Sequence, residues 1–499
     1  MKLITEWTTP LRYKPYHQWS TDYLDLLESV IQKSSWRQAF HIQPKTGLLN
    51  DPNGFSFYNG KWHLFYQAYP FGPVHGVKSW YHMVSDNLVD WKQHDYALLP
   101  DSPYDSHGVY SGSAITVGEK LFLMYTGNVR DKNWERHSYQ LGAWMDSEMQ
   151  VEKITEALIE NPPAGYTEEF RDPQLFRYQD NCLMAIGAQT ESGKGAVLVY
   201  QSKQLIDWEL LGELDYTTED MGFMVECPNL VFVDNQPVLL FCPQGLDNEI
   251  TPYQNIYPNM YVIGSAFNKE TVSIENTSDL INLDEGFDVY ATQAFNAPDG
   301  RVLSVGWIGL PEIDYPSFEE GWAHCLSIVK ELSIKDQHLY QKPVIEMQEL
   351  RQHHEVLKGS VQEENLLLSS PDKNVYELKL ELDSRASGSL YLFADKQNKE
   401  GLKLSYNAKD DTISMDRSKA GIPFGEGYGS IRTASLKKQD KLTLHIFADR
   451  SVCEIFVNDG YCVMTSRIFM KDPQQTHIFL QGFEGDYTGD FWTLREMNE

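Results

Sequence analysis

Between residues 41 and about 339 the apolar positions fall in short runs rich in aromatic and β-branched side chains, separated by turn residues; 62–67, 121–125 and 237–241 are examples. Such runs predict β-strands, and helical periodicity is nearly absent among them. Ahead of this region, Ser20-Thr21-Asp22 precedes Leu24, Leu27, Val30 and Ile31. An N-cap followed by an apolar stripe predicts an amphipathic helix of about three turns, ending near Ser34-Ser35. Residues 341–352, with Val344, Ile345, Met347 and Leu350 in a charged stretch, read as a connector. Beyond it Tyr376, Leu378, Leu380 and Leu382 alternate with Glu377, Lys379 and Glu381, the period of a half-buried strand. Two further runs, 452–457 and 461–468, flank the hairpin signal Asn458-Asp459-Gly460. The expected organisation is an N-terminal segment (1–38), a large all-β unit (39–340), a linker (341–352) and an antiparallel β-sandwich (353–499).

An internal echo suggests how the large unit is built. Ser85-Asp86-Asn87-Leu88-Val89-Asp90-Trp91 reappears 117 residues later as Ser202-Lys203-Gln204-Leu205-Ile206-Asp207-Trp208, and the Asp-Pro pair at 51 reappears 121 residues later at 172. Similar offsets point to four-stranded units recurring every 40 to 50 residues or so, a propeller of five or six blades.

Composition narrows the function. A net charge of −29, from 42 Lys and Arg against 71 Asp and Glu, argues against nucleic acid or an anionic membrane as partner. Any anionic substrate must find a local basic cluster. The first residues show no apolar segment of secretory length and no later run reaches membrane-spanning length, so a soluble cytoplasmic protein is expected. The six cysteines show no metal-type spacing and are too few for a disulfide scaffold of this size; they are expected reduced and mostly buried.

Three acids stand close to prolines: Asp51 in Asn50-Asp51-Pro52-Asn53-Gly54, Asp172 in Arg171-Asp172-Pro173, and Glu226 in Glu226-Cys227-Pro228. Because proline cannot donate to a ladder it belongs at a strand's start or edge, which places the carboxylates where strands begin. Alone, each motif is ordinary turn or ion-pair chemistry. Converging on one cavity, they would supply the nucleophile and proton donor of glycosidic-bond hydrolysis, with a third acid for binding.

These motifs, with His63-Leu64-Phe65-Tyr66-Gln67, Tyr110-Ser111-Gly112-Ser113, Asp288-Val289-Tyr290-Ala291 and Gly306-Trp307-Ile308-Gly309, carry a resemblance to glycoside hydrolase family 32, the invertases and fructanases, along essentially the whole chain. Within the family, Tyr13-Lys14-Pro15-Tyr16, residues 41–47 and residues 127–134 look most like the bacterial sucrose-6-phosphate hydrolases. The resemblance implies a five-bladed β-propeller bearing the site and a C-terminal β-sandwich. It implies retaining β-fructofuranosidase activity without metal or organic cofactor. Asp51 is then the nucleophile, Glu226 the acid and base, and Asp172 the acid that binds fructose hydroxyls. Leu48, Leu49, Asn50, Gln67, Trp80, Tyr110, Ser111, Arg171, Tyr290 and Trp307 are its substrate-binding candidates. Neutral amides and a hydroxyl suit Asn50, Gln67 and Ser111 to orienting sugar hydroxyls, and Trp80 and Trp307 offer flat faces. Arg171 is expected to keep Asp172 charged, and anionic neighbours to keep a proton on Glu226.

One departure stands out: many relatives carry Trp-Gly after the Gln67 strand, where this chain has His75-Gly76. A phosphorylated substrate would need compensating charge, for which His75, Lys78, Arg130, Lys132, Arg136 and His137 are the candidates. Expected substrates are sucrose 6-phosphate, sucrose and short fructo-oligosaccharides, acted on by a monomer or homodimer. A fructosyltransferase and, more remotely, a non-catalytic fructan-binding propeller are the rival readings; product analysis at high sucrose and a reducing-sugar assay discriminate them.

Overall fold

Short apolar runs joined by tight turns bury their faces most directly by pairing with their neighbours in sequence. In the computed structural model, which describes residues 2–361 and 365–498, they do so five times over. Residues 1 and 362–364 and 499, parts of the first and last expected domains, lie outside the described residues. Five successive antiparallel sheets begin with strands β1 (Gly47–Tyr58), β2 (Val109–Val117), β3 (Tyr166–Tyr178), β4 (Met224–Val233) and β5 (Val289–Asn296). β1 lies against β2, β2 against β3, β3 against β4, β4 against β5, and β5 against β1, so the five first strands form the inner ring of a propeller.

Side chains pin this ring where backbone ladders do not reach. Gly112 N donates to Asn53 Oδ1 (2.9 Å) between β2 and β1, and Leu175 N donates to Ser113 Oγ (2.8 Å) between β3 and β2. Leu230 N donates to Gln174 Oε1 (3.0 Å), Ala294 N to Asn229 Oδ1 (3.2 Å), and Phe55 N to Gln293 Oε1 (2.8 Å), which closes the circle. Buried amides and hydroxyls are thus spent on satisfying strand edges that would otherwise stay unpaired. The repeated heptapeptide occupies the same place in the first and third sheets, between their last two strands. Leu88 and Leu205 share φ +66°, and the indole Nε1 of Trp91 and Trp208 donates to Leu88 O (2.9 Å) and Leu205 O (3.2 Å).

The predicted N-terminal helix spans Thr21–Ile31, with the Ser20 hydroxyl accepting from Tyr23 N. Its Tyr23, Leu27 and Ile31 pack on Trp322, in the short segment that pairs in parallel with the start of β1. After the last propeller strand (His338–Pro343) a 3-10 turn (Ile345–Leu350) leads into Arg351–Val361 and two six-stranded antiparallel sheets. The leucines of the alternating 376–382 run face Leu390, Leu392, Leu404 and Ile413 of the other sheet. The hairpin strands are Val452–Val457 and Cys462–Arg467. All six cysteines are free and buried, and no helix of the described residues is long and apolar enough to cross a membrane.

Polar groups bind the two units together. Asp449 of the sandwich accepts from the backbone N–H groups of Ala39, Phe40 and His41 and from His41 Nδ1 (2.8 Å), while His41 Nε2 lies 3.0 Å from Glu454 Oε1. Asp288 accepts from Tyr315 OH, from Arg417 Nη1 (2.9 Å) and from Arg467 N (2.7 Å).

The prolines require a correction. Pro52, Pro173 and Pro228 lie within β1, β3 and β4, not at their starts. β3 and β4 are edge strands of their sheets, β1 has a neighbour on its outer side only at Gly47 and Leu48, and each is bulged at its proline motif, the other position where a missing donor is tolerated.

Candidate active site

Every strand of the inner ring carries one such bulge. Register skips between Leu49 and Pro52, Val109 and Gly112, Arg171 and Gln174, Glu226 and Asn229, and Tyr290 and Gln293. At each, two residues stand opposite one on the partner strand: Asn50-Asp51, Tyr110-Ser111, Asp172-Pro173, Cys227-Pro228 and Ala291-Thr292. Asp172, Cys227 and Ala291 take left-handed backbone conformations there, with φ of +70°, +48° and +48°. A bulge re-aims side chains, and strain of this kind persists where the surrounding packing enforces it.

The re-aimed groups meet. Cys227 Sγ sits 3.7 Å from Asp51 Oδ2 and 3.5 Å from Asp172 Oδ2, and Cys227 N donates to the same Asp172 oxygen (2.9 Å). Asp51 accepts from Asn50 Nδ2 at Oδ1 (3.0 Å) and from Ser111 Oγ at Oδ2 (2.5 Å). Gln67 bridges the two donors, accepting from Asn50 Nδ2 (2.6 Å) and donating to Ser111 Oγ (2.8 Å). Glu226 accepts from Arg171 Nε (3.1 Å) and Nη2 (2.8 Å) at Oε1, and from Tyr290 OH (2.7 Å) at Oε2.

Electrostatics follow from that supply of donors. Burial raises Asp51, opposed by its bonds from Ser111 and Asn50 and reinforced by Glu226. Burial also lifts Asp172, to about 7, with Arg171 opposing and Glu226 and Asp51 adding to the rise. Arg171 therefore does not hold Asp172 in the ordinary carboxylate range as expected. Its guanidinium is committed to Glu226 and to Glu169, while Asp172 relies on one backbone N–H and a weak thiol donor.

Several expected sugar contacts are core residues in this structure. Trp80, Leu48 and Leu49 are fully buried. Trp80 packs on Phe65 and Tyr125 and donates to Tyr110 O, because both faces of its interior strand are covered. Trp307, 2% exposed, stacks edge-on with His75 and Tyr290. His75 and Lys78, expected to offer charge to a phosphate, lie beside Asn50: Lys78 Nζ donates to Asn50 Oδ1 (2.6 Å) and is 3.1 Å from His75 Nδ1. Burial pushes His75 well below its ordinary value, which leaves it neutral.

The remaining basic candidates share the hairpin of Lys120–Arg130 and Arg136–Met145, where Arg130 and Arg136 face each other across the ladder. Arg136 pairs with Glu169 (2.5 Å) and lies over the Tyr110 ring, and the Nε atoms of both arginines are buried without a partner. His137 is 3.7 Å from Glu168, and Lys132 is exposed on the turn. Sequence reasoning missed Glu169 and the bridging position of Cys227. The two-residue spacing of Glu169 and Arg171 on one strand face was the available signal for the first; nothing local marked the second.

An all-β propeller with acids on bulged inner strands, joined to a sandwich, defines a glycoside hydrolase of the type the motifs suggest. Residues 41–343 match the glycosyl hydrolases family 32 N-terminal domain and residues 346–493 the family 32 C-terminal domain, and the chain belongs to this family. It is 47% identical to a sucrose-6-phosphate hydrolase of Pediococcus pentosaceus, over 98% of this chain and 97% of that one. The structure superposes on a sucrose-6-phosphate hydrolase from Lactobacillus gasseri with a TM-score of 0.95 and 45% identity, covering 99% and 100% of the two chains. A Bombyx mori GH32 beta-fructofuranosidase mutant, solved in complex with sucrose, aligns with a TM-score of 0.80 and 28% identity over 95% and 97%.

Proposed function

We propose that the chain is a retaining β-fructofuranosidase that hydrolyses sucrose 6-phosphate, and sucrose as a second substrate. Asp51 attacks the anomeric carbon of the fructosyl unit. Glu226 gives its proton to the departing glucosyl oxygen, so that the glycosidic C–O bond breaks as the bond to Asp51 forms. Water then enters, Glu226 takes its proton, and the hydroxide displaces Asp51 from the same carbon, releasing fructose. Two donors on the oxygens of Asp51 favour its ionised form, which the attack needs. Asp172, poised near neutrality, can accept from and donate to ring hydroxyls. The observation that carries this reading is the meeting of Asp51 and Asp172 on Cys227, next to Glu226.

The phosphate preference is supported by Arg130 and Arg136: neighbouring guanidinium groups with buried Nε donors unused, in a chain of net charge −29. A phosphate dianion would supply the acceptors they lack. Replacing both by Gln is expected to lower kcat/KM for sucrose 6-phosphate about 10- to 100-fold, the worth of charged hydrogen bonds, and for sucrose by less than about threefold. Equal losses on both sugars would remove the phosphate assignment and leave the β-fructofuranosidase. A phosphorylated substrate and six buried free thiols favour a cytoplasmic location, with residues 39–340 as the catalytic unit of a monomer or homodimer.

A further inference from the structure

Behind the nucleophile lies a charge that the reaction above does not use. Lys78 is 4% exposed, and among the described residues no carboxylate pairs with it. An ammonium group has three donors and no acceptor. Its contact at 2.6 Å therefore makes Asn50 Oδ1 an acceptor, which turns Asn50 Nδ2 toward Asp51 Oδ1 and Gln67 Oε1. With Oε1 accepting, Gln67 must present Nε2 to Ser111 Oγ. The single hydroxyl hydrogen of Ser111 is then left for Asp51 Oδ2. Every donor points away from Lys78, and the two branches end on the two oxygens of one carboxylate. An ionised Asp51 asks for the same sense from the other end, so without the donor-only group at the head that sense would rest on the carboxylate alone, and a proton on Asp51 would let both amides rotate and the chain reverse.

We propose that Lys78 is a positioning residue that sets the direction of the hydrogen-bond chain through Asn50, Gln67 and Ser111, so that both oxygens of Asp51 are held as acceptors. The proposal rests on Asp51 being the nucleophile of the proposed reaction. It gives the polar residues that follow Gln67 in this chain a role on the fructosyl side. The charged and titratable groups around the chain are Glu226, Asp172, Cys227 and Cys242 on the side of Asp51, and Arg12, His75 and His324 on the side of Lys78. Burial lowers Lys78 to about 7, with Asp51 opposing the shift and Arg12 adding to it.

The test is the pH dependence of kcat/KM for sucrose in the full-length chain and its Lys78→Met variant. The variant is expected to lose about 100-fold on the acidic side of neutrality, where Lys78 carries its proton and is donor-only, as when a preorganised donor is removed. Its acidic limb is expected to move up by about one pH unit, because the nucleophile loses a nearby cation and its fixed donors. Ser111→Ala added to Lys78→Met is expected to cost less than about threefold further, since both act through one chain. An unmoved acidic limb, or losses that multiply, overturns the proposal. If thermal melts show that Lys78→Met folds poorly, Gln67→Glu keeps the lysine but replaces the Nε2 donor by an acceptor; parent-like activity there overturns the proposal equally, and a loss of about tenfold or more supports it. A parent enzyme that releases no fructose would remove instead the functional reading beneath it.

Discussion

The propeller–sandwich junction and the candidate active site both bury clusters of acids, yet they differ in how Asp449 and Glu454, against Asp51 and Asp172, are supplied with partners. At the junction Asp449 receives three backbone N–H groups and a ring nitrogen, and Glu454 receives His41, Ile328 N and Lys330. Burial alone would raise Glu454, but Lys330 and His41 hold it below its ordinary value. Burial alone would lower His41, but its two carboxylates raise it to about 9. On the inner ring, Asp51 and Asp172 are raised, because burial there exceeds the supply of donors. The difference is the number of partners per carboxylate rather than depth. Asp51 and Asp172, kept short of donors, are ready for a ligand that brings its own hydroxyls, whereas Glu226, held by Arg171 and Tyr290, is as well supplied as the junction acids.

The comparison breaks most visibly at Asp51. Asp51→Asn is expected to lower kcat by about 10⁴-fold or more while leaving the melting temperature unchanged or higher, because a poorly compensated buried charge is removed. Steady-state kinetics and a thermal melt on one preparation check both halves; a melted protein would place Asp51 with the structural acids. The mirror experiment is Asp449→Ala, which strands His41 and three backbone donors. It is expected to cost about 3 to 5 kcal/mol in urea unfolding, while the molecules that remain folded keep kcat within about twofold. Loss of turnover without loss of stability would overturn the contrast.

The smallest effects lie in pH. His41 is raised from 6.5 to about 9, so its stabilisation is complete below 6.5 and is lost as pH rises toward 9. Asp172 is raised from 3.8 to about 7, so the folded state binds more protons than the unfolded between those values, and stability falls as pH rises through that lower window. Melts from pH 4 to 9 should therefore show two separable declines. His41→Gln is expected to flatten the upper and Asp172→Asn the lower; a single shared decline would merge the two clusters into one.

The relation between sequence and structure differs by region. The sandwich strands were plain from alternation and one hairpin signal, since local pattern and turn chemistry determine an antiparallel pair. The paired heptapeptides disclosed a repeat, and the structure sets them two blades apart in the same turn. The three acids were visible through their prolines, yet those prolines mark bulges inside the inner strands rather than strand starts. Arg171 stands beside Asp172 in sequence, yet a bulge turns the two apart, and the guanidinium reaches Glu226 on the neighbouring strand. Trp80 read as a sugar platform because its type fits one; only the packing of Phe65 and Tyr125 around it shows otherwise.

Strand positions, turns, charge balance and the identity of the acids lay in the order of residues alone, because each depends on neighbours a few positions away. Which donor meets which carboxylate was settled only when five bulged strands closed into a ring. That closure joins groups from 51 to 290 across the chain, and it links the lysine at 78 through Asn50, Gln67 and Ser111 to Asp51. Contacts of that range depend on the geometry of closure, which no local window of sequence contains.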